Sequence, residues 1–210
     1  MDYSKYFETL IDWKKLPAYR LEPRIYSLIW FYLPEMLNDL LSISVAAVIP
    51  ELPIRLGTVR PELNEKCYAE RSYKVDFYAL AKNGRNLFVE VKTDSGSRRD
   101  EQDNYLNQSK RVGMKAIVEG ITKISTVSCY KTKYRHLLDK MASIGIVDTS
   151  RGFCGQDPID VIYVQPRILE NDVGKTVVDF NRVAAWLSNK YPSDGFSMSF
   201  ASALESWAKD

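Results

Sequence analysis

Asp76, Glu90 and Lys92 are the side chains whose types and spacing suit joint chemistry. They fall in two apolar runs, Val75-Asp76-Phe77-Tyr78-Ala79-Leu80 and Leu87-Phe88-Val89-Glu90-Val91-Lys92, separated by Lys82-Asn83-Gly84-Arg85. Apolar runs about a glycine turn read as a β-hairpin. A carboxylate or ammonium on an apolar sheet costs free energy unless a partner charge or a metal meets it, so the placement asks for a function. Directly opposed residues on one face have Cβ atoms ~5 Å apart, and two carboxylates there repel until a proton or a cation intervenes. Mg²⁺ answers that need: it takes hard oxygen ligands at ~2.1 Å, and one or two carboxylates suffice because waters and substrate phosphate complete the octahedron. Lys92 returns to the face of Glu90 two residues on. Its ammonium could hold or help deprotonate an attacking water, or stabilise charge growing on a phosphate.

The hairpin register decides whether these groups meet. A two-residue Asn-Gly turn pairs Asp76 with Val91 and puts Asp76 on the face opposite Glu90 and Lys92. A three-residue loop, Lys82-Asn83-Gly84 with Gly84 left-handed, pairs Ala81 with Arg85 and therefore Asp76 with Glu90. The second register sorts the sheet. Val75, Phe77 and Ala79 lie with Leu87, Val89 and Val91 on an apolar face, while Asp76, Tyr78, Glu90 and Lys92 share the other.

At these residues the chain resembles the PD-(D/E)XK nuclease superfamily, the restriction-endonuclease-like fold. Asp76 matches the first acid of that pattern, Glu90 the second and Lys92 the lysine. Val91 stands where a backbone carbonyl often completes the metal shell, and Val75 replaces the usual proline. The resemblance implies a catalytic set of Asp76, Glu90 and Lys92, with Asp76, Glu90 and Val91 on metal. Some relatives add a Gln and a Tyr from the following helix; Gln102 and Tyr105 lie there at a spacing one residue shorter than usual, with Gln108 beyond. Gln102 is accordingly a catalytic candidate, with a surface-helix residue as the competing reading. Relatives sometimes draw a further acid from an earlier strand or the first helix, which makes Glu51 and Glu22 candidates. Glu51, between two prolines, also reads as a loop acid, and Asp94 reaches the site if the strand continues that far.

The surrounding pattern supplies the elements to position them. A helical region near Glu22 to Leu41 precedes a strand at Val45 to Ile54. After the hairpin, Arg99 to about Lys123 reads as a helix with apolar positions Leu106, Val112 or Gly113, Ile117 and Ile121. Val161 to Val164 is a β-branched strand stopped by Pro166. Helix, strand, strand, strand, helix, strand is the order of the superfamily core. The fold class expected is therefore α/β: a restriction-endonuclease-like core over about 20–168, with a central mixed β-sheet flanked by helices and additional N- and C-terminal helices. Val177 to about Tyr191 reads as helical, and Phe200 to Lys209 as a closing helix with Leu204 and Trp207 inward.

A chain of 210 residues with 45% hydrophobic content can bury one substantial core, so a single domain over 1–210 is expected, with residues from about 169 decorating it. Charged residues at 27% argue against disorder. The opening Met1-Asp2-Tyr3-Ser4-Lys5 lacks a basic region leading into an apolar stretch, so a secretory signal is not expected. The apolar run Ile25 to Leu33 is too short to span a bilayer. Cys67, Cys129 and Cys154 are odd in number and widely spaced, which favours free thiols in a cytoplasmic setting. His136 is the only histidine, so Cys/His zinc sites and a Ser-His-Asp triad are poorly supported. Neither a P-loop nor a dinucleotide glycine fingerprint is present.

Net charge is +2, which does not itself announce a nucleic-acid binder. Arg98, Arg99, Lys110, Arg111 and Lys115 nevertheless cluster after the hairpin, where they could neutralise backbone phosphates; a solvated face of mixed charge is the competing reading. The function expected is a metal-dependent DNA nuclease using Mg²⁺, with Mn²⁺ as substitute, DNA as partner, no membrane, and a homodimer as one way to cut both strands. The alternatives are a non-catalytic nucleic-acid-binding or assembly protein retaining the fold, a protein-interaction scaffold, and, at the residues themselves, an ordinary cross-strand ion pair worth at most ~1 kcal/mol.

Overall fold

The computed structural model describes residues 3–16, 20–66, 69–94 and 100–209. It is α/β, with a mixed five-stranded sheet flanked by helices. The strands are β1 (Val45–Arg55), β2 (Ser72–Ala81), β3 (Asn86–Val91), β4 (Ile159–Gln165) and β5 (Thr176–Asp179), adjacent in that order. The helices are α1 (Ser4–Trp13), α2 (Glu22–Leu41), α3 (Leu56–Val59), α4 (Asp100–Val127), α5 (Lys131–Ser143), α6 (Phe180–Lys190) and α7 (Gly195–Trp207). No helix among the described residues is long and apolar enough to cross a membrane. The chain divides into two compact units, Met1–Ser44 with Glu90–Arg99 and Ile162–Asp210, and Val45–Val89 with Asp100–Val161.

In the first unit, α2 buries Ile25, Ile29, Tyr32, Leu33, Met36 and Leu37, the stripe expected at helical spacing. Pro23 sits in the first turn, where its missing N–H costs nothing. The helix runs through Pro34 and ends at Ser42, which takes the left-handed conformation (φ 56°). Tyr32 stacks at 6.1 Å on Phe200, which stacks in turn at 5.5 Å on Phe7. The Tyr32 hydroxyl lies 2.8 Å from that of Ser197. Leu204 and Trp207 are fully buried, as their spacing predicts.

Two expectations here need correction. Thr176 to Asp179 is a strand parallel to β4, and the helix begins only at Phe180 because the Asp179 carboxylate accepts the Arg182 amide at 3.1 Å. Likewise α7 starts at Gly195 rather than Phe200, since Asp194 accepts the Ser197 amide at 2.8 Å and so sets the boundary.

In the second unit, β1, β2 and β3 form an antiparallel meander. Pro50 and Pro53 are tolerated in β1 because it is the edge strand. The hairpin turn has Gly84 at φ +85°, with the Ala81 amide donating to the Arg85 carbonyl at 3.0 Å. The ladder pairs Leu80 with Asn86, Tyr78 with Phe88, Ala79 with Leu87 and Phe77 with Val89, the register of the three-residue loop. Both faces are covered: the Tyr78 hydroxyl donates to Asn86 Oδ1 at 2.9 Å, and burial pushes that phenol far above its usual range. Asn86 Nδ2 donates to the carbonyls of Gln156 and Pro158.

The helix expected from Arg99 to Lys123 buries Leu106, Ile117 and Ile121, but it is two segments divided at Gly113. Gly113 has φ +81°, and a Cβ there would overlap the Asp157 carboxylate. Asp157 restarts the helix, its carbonyl accepting from Met114 N and its Oδ1 from Lys115 N, each at 2.8 Å.

Candidate active site

Every residue of β3 is buried, and its acid is among them: Glu90 is 1% exposed. The backbone amide of Lys92 donates to the Val164 carbonyl of β4 at 2.8 Å, which fixes the lysine just past the end of β3. From there Lys92 Nζ donates to Glu90 Oε1 at 2.9 Å, its side chain 7% exposed. The same ammonium lies 3.6 Å from Glu22 Oε1. Glu22 opens α2, where a carboxylate also meets the positive end of the helix dipole.

An ion pair removed from water gains Coulomb energy at low dielectric but costs desolvation, so a buried pair is weak support for stability. Among the described residues this cluster presents carboxylate oxygens. Its oxygen donors are hard, which suits Mg²⁺ or Mn²⁺ over a soft metal. Among the described residues no group of three or more His, Cys, Asp or Glu forms a ready-made cage. An ion that keeps most of its waters and takes one or two carboxylates does not require one.

The other sequence candidates have settings of their own. Asp76 is half-buried in β2, between buried Val75 and Phe77, in the second unit. Glu51 is exposed, takes φ +50°, and pairs with Lys74 at 3.0 Å. Gln102 Nε2 lies 3.4 Å from the Tyr105 hydroxyl, which donates to the Lys74 carbonyl at 2.9 Å. Lys110, Arg111 and Lys115 are exposed on α4, and Arg98 and Arg99 lie outside the described residues. Asp94 pairs with Lys14 at 3.2 Å.

Sequence reading missed Lys14 and the buried pair at the end of β4, where Gln165 Nε2 donates to Asp172 Oδ2 at 2.7 Å. Gln165 closes a β-branched run, a faint signal; Asp172 sits in a turn and offers none. Comparison of the chain with protein-family models, curated proteins and solved structures finds no match.

Proposed function

We propose that this chain is a metal-dependent nuclease of the PD-(D/E)XK type, hydrolysing DNA phosphodiester bonds. The observation that carries the reading is the buried Lys92 ammonium held between the carboxylates of Glu90 and Glu22. With α3 and α5 interposed, the order α2, β1, β2, β3, α4, β4 agrees with that of the superfamily core. The hairpin register from which the sequence sets Asp76 against Glu90 is met at every pair from Leu80–Asn86 to Phe77–Val89.

In this proposal Asp76, Glu90 and the Val91 carbonyl would hold Mg²⁺ or Mn²⁺, while Glu22 faces Lys92. Such an ion, when bound, polarises a phosphoryl oxygen and acidifies water. Glu90 and Glu22 aim the Lys92 ammonium, so that it orients the attacking water or meets charge growing on the phosphate. Gln102 takes a supporting part through Tyr105. Lys110, Arg111 and Lys115, with Arg98 and Arg99, neutralise backbone phosphates, and binding then falls steeply with salt.

The test incubates plasmid, linear duplex and single-stranded DNA with protein plus Mg²⁺ or Mn²⁺, beside Asp76→Ala, Glu90→Ala and Lys92→Ala. Cleavage by wild type, lost at least ~10²-fold in each variant, is expected. Equal cleavage by all four proteins identifies a contaminant. Salt-dependent DNA binding without cleavage transfers the case to a non-catalytic binding protein.

A further inference from the structure

The second unit holds a cleft of about 640 Å³ that contains none of the proposed metal-holding residues. Glu101, Asn104, Tyr105 and Gln108 of α4 line it from one helix face, their spacing being that of successive turns. The opposite wall is Val59 and Arg60-Pro61-Glu62, and Tyr73 of β2 completes the lining. Tyr73 stacks on Tyr105 with ring centroids 4.5 Å apart and planes 10° from parallel.

Both rings are held in place. The Tyr73 hydroxyl donates to Glu101 Oε1 at 2.9 Å, and the Tyr105 hydroxyl donates to the Lys74 carbonyl. The wall carrying Arg60 is braced by the buried Arg55, whose guanidinium donates to Glu70 and, at 2.7 Å, to Asn64 Oδ1. Arg60 itself pairs with Glu62 at 3.1 Å. Among the described residues, the Asn104 and Gln108 amides make no side-chain hydrogen bond.

These groups match the chemistry of a nucleobase. Stacked phenol rings favour a flat π-surface. Side-chain amides read a base edge by paired donation and acceptance, and carboxylates accept from exocyclic amines. We propose that this cleft is a subsite for an unpaired, amine-bearing base, adenine or cytosine, of a single-stranded segment. The carboxylates of Glu62 and Glu101 outnumber the Arg60 guanidinium, which disfavours a phosphate inside the cleft and leaves the strand's backbone outside it. The choice of a base rather than another flat ligand rests on the nuclease reading.

The experiment separates the two by removing metal. Fluorescently labelled oligomers of about eight nucleotides, dA, dC, dT and an abasic strand of equal charge, are titrated by anisotropy in excess chelator with full-length protein. Binding of dA and dC about tenfold tighter than dT or abasic strand is expected, and Asn104→Ala and Gln108→Ala should each erase most of that preference. Circular dichroism verifies that the variants fold, and hydrogen exchange at Tyr105 to Gln108 with dA supplies a reading in the wild-type chain. Equal affinity for all strands, or a preference that survives both substitutions, overturns the subsite whatever the cleavage assay shows. Displacement of dA by free arginine at constant ionic strength also overturns it, since the cleft then serves a cation. Base-dependent binding with no cleavage upholds the subsite while the nuclease reading falls.

Discussion

Two lysines of the first unit are each bracketed by two carboxylates. Lys190 has the shorter contacts, 2.6 Å to Asp39 and 2.8 Å to Glu35, with Trp186 Nε1 donating to Asp39 at 2.9 Å and Tyr191 to Glu35 at 2.8 Å. Lys92 has the longer ones, 2.9 Å to Glu90 and 3.6 Å to Glu22. Distance alone would rank Lys190 first. Burial reverses the order, for the Lys190 side chain is 33% exposed against 7% for Lys92, and its acid Glu35 is 58% exposed against 1% for Glu90. At the surface, water already solvates each charge, so the Lys190 cluster fastens α6 to α2 and does little else. At Lys92 the ammonium and the Glu90 carboxylate have lost their water, while Glu22, 34% exposed, keeps part of its own, so the buried pair answers to whatever else enters.

Removing one partner from each cluster probes that contrast most strongly. Lys92→Met leaves the Glu90 carboxylate buried without its ammonium and should destabilise the protein by about 3–5 kcal/mol in urea titration. A loss no larger than that of Lys190→Met would erase the distinction between the sites. Next in size is the rescue: Glu90→Gln combined with Lys92→Met should recover most of the loss, and full additivity would mean the two side chains do not interact.

A smaller effect belongs to the surface cluster. Hydrogen bonds from Lys190 and then Trp186 hold the Asp39 carboxyl down at about 2, and Lys190 and Tyr191 lower Glu35. A carboxyl with a depressed folded-state value stabilises above its unfolded value and loses that contribution as pH falls through the folded one. Thermal midpoints of Asp39→Asn should therefore decline less than wild type between about pH 4 and pH 2, and parallel curves would sever Asp39 from acid stability. Smallest of all is salt: about 1 M NaCl, where screening acts within ~3 Å, should narrow the gap between wild type and Lys190→Met while leaving that of Lys92→Met nearly unchanged.

What was readable in the sequence follows how locally each feature is determined. The hairpin register was accessible because Gly84 and the sorting of Val75, Phe77 and Ala79 from charged neighbours are fixed within a few residues. The approach of Glu22 to Lys92 was open only as one candidate among several, since α2 meets the end of β3 through tertiary packing. Thr176 to Asp179 escaped as a strand because its short apolar run merges with the pattern of the helix capped by Asp179. The break in α4 had no local sign beyond one glycine, its cause being Asp157 from the loop before β4. The cleft on α4 shows the same limit: Glu101, Asn104, Tyr105 and Gln108 can be placed on one face, but the wall opposite them cannot.

That interruption at Gly113 gives α4 two sets of ends. Lys110 and Arg111 occupy the closing turn of the first half, where cations offset the carbonyl partial charges and add ~0.3–1 kcal/mol each. Deleting them weakens a helix as well as the proposed phosphate contact. Lys115 occupies the opening turn of the second half, the end at which a cation is unwelcome, so helix energetics give no reason for its presence. Of the three exposed cations, it is the one whose neutralisation tests the proposed phosphate contact without also removing a favourable helix-end charge.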